Sequence, residues 1–271
     1  MKVVLFCGGQ GMRLREYSEK IPKPMVPIGY RPILWHIMKY YAHFGHKDFI
    51  LCLGYQGDTI KDYFVKYSEY VSNDFVYSKG GSNLNLMNKD IEDWTITFVD
   101  TGMTSNIGQR LKAVEKYLRT DEMFLANYSD GLTDLPLPDM INHFRLSGKI
   151  GMFMASQPSR SFHVVSLGEK NYVSNISSLS NAGLRINAGY FVFKNDIFNY
   201  INAGEELVEQ PFQRLIANNQ LLAYPYEGIF LTMDTFKEKQ MLDDMYARGE
   251  TPWEVWRTDY QQNEYATANI R

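Results

Sequence analysis

The chain has 271 residues, 45% of them hydrophobic and 22% charged, with a formal net charge of −3. That length and apolar share can bury one large core or two intimate ones. The lack of any basic run excludes the usual electrostatic footprint of a nucleic-acid partner. With no apolar run of 18 residues and no cationic-then-apolar leader pattern, membrane spanning and export lack support, and a cytoplasmic protein is expected.

The first element is an apolar run over 2–7, read as a strand, which enters Gly8-Gly9-Gln10-Gly11-Met12-Arg13-Leu14 directly. Gly8, Gly9 and Gly11 tolerate positive φ and let backbone N–H groups approach a polyphosphate, and Arg13 adds a forked cation. Taken alone, a Gly-rich turn after a first strand more often just reverses the chain. Pro22-Lys23-Pro24 follows, where two prolines hold Lys23 on a stiff, extended arm. A solvated loop lysine is the plain alternative, but two cations near one glycine loop favour a phosphate site.

Further along, 33–44 has the spacing of a core-facing helix, with Ile33, Ile37, Tyr40, Tyr41 and Phe44 on one stripe and Gly45 as its stop. Strands are expected over 48–53, 95–99 and 123–126. A second helical stripe is read through Ile60, Phe64, Tyr67 and Val71. The aromatic residues of both stripes, and Trp35, are assigned to packing rather than base stacking. Cys7 and Cys52 fall inside apolar runs with no Cys-x-x-Cys or Cys/His cluster, and are read as free core thiols. The polar stretch 72–94, with Gly80-Gly81, is expected to be a long excursion rather than a sheet element. Alternation of strands and helices implies an α/β, doubly wound sheet, whose loops after Cys7, Val99 and Ala126 should converge on one crevice. The last of these loops carries Asp130, a metal-ligand candidate by position, though turns are also where ordinary Asp residues are commonest.

The motifs Gly8-Gly9-Gln10-Gly11-Met12-Arg13-Leu14 and Pro22-Lys23-Pro24-Met25 stand in order with Asp100-Thr101-Gly102, Asp130-Gly131, Ile186-Asn187-Ala188-Gly189-Tyr190-Phe191, Met233-Asp234-Thr235 and Pro252-Trp253-Glu254-Val255-Trp256. This series resembles the sugar-1-phosphate nucleotidyltransferases, most closely the glucose-1-phosphate cytidylyltransferases, over nearly the whole chain. The resemblance implies a Rossmann-like mixed central sheet flanked by helices. It also implies one domain over 1–256, with a nucleotide-binding part near 1–135, an acceptor-binding part near 136–256 and a tail over 257–271. It pairs Asp130 with Asp234 as carboxylates that hold Mg2+ against nucleotide phosphates. It places Arg13 on the β/γ-phosphates, Lys23 between the α-phosphate and the incoming phosphate, and Asn187 and Gly189 beside the sugar. The chemistry is attack by a sugar-phosphate oxygen on the α-phosphorus of a nucleoside triphosphate, which needs preorganised cations more than a strong base.

Base choice rests on Asp100-Thr101-Gly102 and Gly108-Gln109-Arg110-Leu111-Lys112, similar to the cytidylyltransferase branch. Gln109 replaces the second glycine of G-G-R-L-K, and Arg110 is either a nucleotide contact or a solvated residue in a helix's first turn. CTP is the preferred donor, with dTTP second. On the acceptor side the resemblance weakens. Ser177-Ser178-Leu179 stands where relatives carry E-K-P, and Gln210 stands where a carboxylate is expected near the sugar hydroxyls. Either Arg185 or Arg160 takes over the phosphate of glucose 1-phosphate, or the phosphorylated acceptor differs. A homo-oligomer is expected, with 72–94 and 253–256 contributing. The rival classes are a catalytically silent nucleotide-binding regulator, disfavoured by the full cation and carboxylate set, and a glycosyltransferase, which would show Asp-x-Asp instead of G-x-G-x-R.

Overall fold

The computed structural model describes residues 1–9, 21–158, 163–179 and 182–257. Gly11, Arg13, Arg160 and the tail beyond Arg257 therefore lie outside the described residues.

Seven strands form the central sheet: β1 (Lys2–Phe6), β2 (Asp48–Leu53), β3 (Thr95–Asp100), β4 (Met123–Asn127), β5 (Gly151–Ser156), β6 (Ile186–Lys194) and β7 (Leu221–Tyr226), in the spatial order β7-β5-β6-β4-β1-β2-β3. β4, β1, β2 and β3 are mutually parallel. β6 runs antiparallel to both β4 and β5, and β7 is parallel to β5. The mixed sheet expected from the resemblance is thus present, and the four strands read from the apolar runs are found within a residue of their expected ends.

Both faces of the sheet are covered, which is why its central strands read as unbroken apolar runs rather than alternating ones. Along β1, Val3 and Leu5 join one core while Val4 and Phe6 join the other. In β4, Met123 and Leu125 divide from Phe124 and Ala126 in the same way. Helices α1 (Ile33–His43), α2 (Gly57–Val65), α3 (Ile107–Val114), α4 (Leu137–Ser147), α5 (Gln210–Ala217) and α6 (Phe236–Ala247) supply the covering layers. α1 and α4 pack on the first core, α3 and α5 on the second. No helix among the described residues is long and apolar enough to cross a membrane.

Three local expectations are corrected. The stripe from Ile60 to Val71 is not one helix: α2 ends at Val65, and a separate 3-10 turn covers Glu69–Val71. Tertiary contacts take Tyr67 out of the helix. Its hydroxyl accepts from Trp35 Nε1 at 2.8 Å and donates to Asp90 at 3.0 Å, and the Arg31 guanidinium lies 4.2 Å from its ring centre. The excursion over 72–94 does contain sheet, a hairpin of Phe75–Ser78 with Asn83–Leu86, because Gly80 and Gly81 supply the positive φ of its turn. Lys23 does not sit on an extended arm. Lys23–Met25 form a single 3-10 turn, closed by Met25 N donating to Pro22 O at 2.8 Å, and Pro24 stands where its missing N–H costs nothing.

Candidate active site

Parallel strands deliver the segments after Phe6, Leu53, Asp100 and Asn127 to one edge of the sheet. β6 runs the other way, so its start, Asn187 to Gly189, reaches that same edge. Tyr128 N donates to Gly189 O at 3.2 Å, and the Asn187 side chain donates to Tyr128 Oη at 3.3 Å. Gly189 has φ +73, and a Cβ there would fall 2.4 Å from the Tyr128 ring, so only glycine lets that ring lie on the strand.

Arg110 ties the strand ends together. Its buried guanidinium donates to Gly8 O at 3.0 Å, Leu53 O at 3.1 Å, Gly102 O at 2.9 Å and Thr101 Oγ1 at 2.7 Å. It is therefore not the solvated alternative. Burial pulls its affinity for a proton down, yet the guanidinium remains a cation. A Cβ on Gly8 would sit 2.0 Å from Arg110 Nη1, and one on Gly54 would sit 2.7 Å from Gly8 O. These glycines make room for the arginine as well as for any phosphate. The helix carrying it starts with a capping box: Asn106 Oδ1 accepts from Gln109 N and Gln109 Oε1 accepts from Asn106 N, both at 2.9 Å. Gln109, a departure from the resembled motif, thus satisfies an otherwise unpaired helix-end donor.

Asp130 and Asp234 meet through a small ribbon. Gly131–Thr133 pairs antiparallel with Phe230–Thr232, and Met233 N donates to Asp130 O at 3.0 Å, so the two carboxylates emerge side by side. Ser129, at φ +64, turns the chain for this exit, with its N–H held by Asn127 Oδ1 at 2.7 Å. On the other side, Glu238 accepts from Asp234 N at 2.7 Å and Thr235 N at 2.9 Å. Lys23 Nζ lies between the pair, 2.7 Å from Asp130 Oδ2 and 2.6 Å from Asp234 Oδ1. Burial works against the ammonium, but the two carboxylates outweigh it and raise the lysine above its ordinary range.

A cavity of about 310 Å³ opens beside this trio, with Phe6, Gly9, Lys23, Asn106, Tyr128 and Glu206 among its walls; Arg110 and Asp130 also reach it. Arg185 is turned instead toward Glu227, with which it forms an ion pair, and donates to Ala155 O at 3.3 Å. Gln210 is exposed at the first position of α5. Neither lines this cavity. The segment Ser177-Ser178 belongs to a ribbon of Val173–Ser178 with His163–Leu167, outside the main sheet. Sequence reasoning missed Glu206, Tyr128 and Asn106. The Asn106-x-x-Gln109 spacing was a readable signal for the last, and no local pattern marks the first.

Residues 2–229 match the family model described as Nucleotidyl transferase. The glucose-1-phosphate cytidylyltransferases of Salmonella typhimurium and Salmonella typhi are each 37% identical to this chain over 257 residues, covering 94% of it and 100% of each relative. The crystal structure of a UDP-glucose pyrophosphorylase complexed with UDP-glucose aligns with a TM-score of 0.66 at 15% identity, covering 92% of this chain and 98% of that one. A family-model match over residues 2–229 and relatives 37% identical over their full length, on a sheet of this order, make this chain a member of the nucleotidyl transferase family.

Proposed function

We propose that the protein transfers CMP from CTP to a phosphorylated sugar, releasing pyrophosphate and forming an NDP-sugar such as CDP-glucose. The observation that carries this reading is the convergence of Lys23, Asp130 and Asp234 beside a cavity at the carboxyl edge of the parallel strands. Donor and acceptor are suggested by the names of the two Salmonella relatives, which are matched over their full length.

Both reactants are anions, and a phosphate monoester is already a competent nucleophile at neutral pH. The site must therefore hold the two together and stabilise the charge that builds on the leaving pyrophosphate. Lys23 is assigned to the α-phosphate and the incoming phosphate. Arg13, from its motif alone, is assigned to the β/γ-phosphates. Gly8 and Gly9, and from its motif alone Gly11, are assigned to the backbone cradle, with Arg110 holding Gly8 to the neighbouring strand ends. Asn187 and Gly189 set the Tyr128 ring beside the acceptor. In this scheme residues up to about 135 serve the nucleotide and later ones the acceptor.

Two carboxylates drawn to a single ammonium form a hard oxygen donor pair that fits Mg2+, which is commonly held by one or two carboxylates plus substrate phosphates. Among the described residues no group of three or more His, Cys, Asp or Glu is placed to hold a metal ion, and with Asp130 and Asp234 as donors the substrate phosphates would supply further oxygens. Bound there, Mg2+ would neutralise polyphosphate charge.

A cytoplasmic homo-oligomer is part of the same reading. Tyr70, Val76, Tyr77 and Met87 are exposed on or near the hairpin. Trp253 and Trp256, by contrast, are spent on packing within the chain against His36 and Trp35. A monomer in light scattering would count against assembly.

The test is pyrophosphate release with Mg2+ across the four ribonucleoside triphosphates and dTTP, each with glucose 1-phosphate and other phosphorylated sugars. Turnover with CTP and glucose 1-phosphate is expected. Turnover only with dTTP or another acceptor would replace the substrates, and none with any pair would overturn the reading.

A further inference from the structure

We propose that Glu206 is the residue that selects the acceptor, by accepting hydrogen bonds from hydroxyls of the phosphorylated sugar. The inference rests on the functional reading above and goes beyond it by naming a residue and the acceptor chemistry it admits.

Glu206 lines the active-site cavity together with Lys23, Tyr128 and Asp130. Its carboxylate is preset by backbone: Oε1 accepts from Leu207 N at 2.9 Å and Oε2 from Ile107 N at 3.3 Å, at the start of α3. Each oxygen thus spends one bond on the protein and keeps acceptor capacity for a ligand. The segment that carries it is braced from both sides. A Cβ on Gly108 would fall 2.2 Å from Glu205 O, so α3 lies directly against this segment, and Glu205 pairs with Arg214, whose Nε donates to Tyr200 O at 3.1 Å. A carboxylate held in this way at a cavity wall meets the requirement for a preorganised specificity group.

Four charged side chains line the cavity: Arg110 spends its guanidinium on carbonyl oxygens and Thr101, Asp130 is paired with Lys23, and Glu206 makes no ion pair among the described residues. Lys23 stands where a phosphate is attracted, whereas Glu206 repels phosphate and attracts hydrogen-bond donors. A sugar phosphate spanning the cavity would place its anion toward Lys23 and its ring hydroxyls toward Glu206. Gln210 is exposed and off the cavity wall, and neither Glu205 nor Glu209 lines it, so Glu206 is the acid of this segment that the cavity meets. The same charge disfavours an acceptor with a second anionic group, such as a uronic acid 1-phosphate.

The test uses the full chain and its Glu206→Gln variant, which keeps one oxygen to accept from backbone, with Glu206→Ala as the harsher change. Steady-state KM and kcat are measured for CTP, glucose 1-phosphate, its singly deoxygenated analogues and glucuronic acid 1-phosphate, with the thermal midpoint as a check on folding. For E206Q the KM for glucose 1-phosphate is expected to rise about tenfold or more, while that for CTP holds. At least one deoxy analogue should then be used equally by both proteins, and discrimination against the uronic acid should relax. An unmoved acceptor KM, or a loss shared by CTP and every deoxy analogue, would overturn the assignment while leaving the functional reading intact. A wild-type chain that turns over no sugar phosphate would overturn both.

Discussion

Lys23 Nζ lies 2.7 Å from Asp130 Oδ2, although 107 residues separate them, and it reaches Asp234 from the same position. One ammonium thus offsets the repulsion of two carboxylates at a site built to receive further charge. Their side chains keep 14%, 31% and 22% of their exposure for Lys23, Asp130 and Asp234, so solvent weakens these pairs without abolishing them.

Replacing the lysine separates its two tasks. Lys23→Met is expected to cost about 1–2 kcal/mol in denaturant unfolding, well below the figure for a fully buried pair. It should also cost about a hundredfold or more in turnover. Added Mg2+ should raise the melting temperature of the variant more than that of the wild type, because the carboxylates have lost their resident cation. A variant as active as the wild type would remove Lys23 from the chemistry. The lysine's folded pKa lies above its unfolded value, so its stabilising contribution is full below about pH 10.5 and is lost as pH rises through the raised value.

His36, which does not line the cavity, gives the fold an acid-sensitive point. Its Nε2 pairs with Ile28 O at 3.1 Å and must donate, which leaves Nδ1 unprotonated and facing Glu254 at 3.6 Å. Burial, opposed by that backbone bond, lowers the imidazole to about 4. The unfolded chain therefore takes up a proton near pH 6.5 that the folded chain refuses. Stability present above pH 6.5 is lost as pH falls toward 4, by up to about 3 kcal/mol. Glu254, raised chiefly by burial, acts in the opposite sense, so the comparison is with His36→Gln. Urea unfolding between pH 4 and 7 should be less steep with pH in that variant, and equal slopes would refute the assignment.

Gly189→Ala is expected to cost about 2 kcal/mol or more, combining a positive φ with a clash against Tyr128. Because the displaced ring precedes Ser129 and Asp130, the KM for the acceptor should rise as well. A variant with wild-type stability and kinetics would show that the ring has room to move.

The sheet was legible because β1, β2 and β4 are short apolar runs buried on two faces, a pattern that survives without knowledge of neighbours, whereas β3 at the edge is only half-buried and reads through its Ile96, Phe98 and Val99. The pairing of Asp130 with Asp234 came only through resemblance. It depends on a ribbon three residues long on each strand, too short to leave a periodic trace. Glu206 was hidden for another reason. What aims it is the contact between Gly108 and the backbone of Glu205, a relation between distant segments that no local spacing encodes. Tyr67 misled because helical spacing is a local signal, and Arg31, Trp35 and Asp90 claimed the residue from outside.

The place of β6 in the sheet bears on synthesis. Every strand up to Asn127 can pair while the chain is still being made, yielding a four-stranded parallel unit with β4 on its rim. β4 is Met-Phe-Leu-Ala-Asn, buried throughout in the finished molecule, and its open side is covered only when β6 arrives about sixty residues later. Until then the ribosome-bound chain carries a bare apolar rim able to capture another strand. A chain cut after Thr133 would keep that rim for good, so residues 1–133 are a poor candidate for a stable fragment despite containing Lys23 and Asp130.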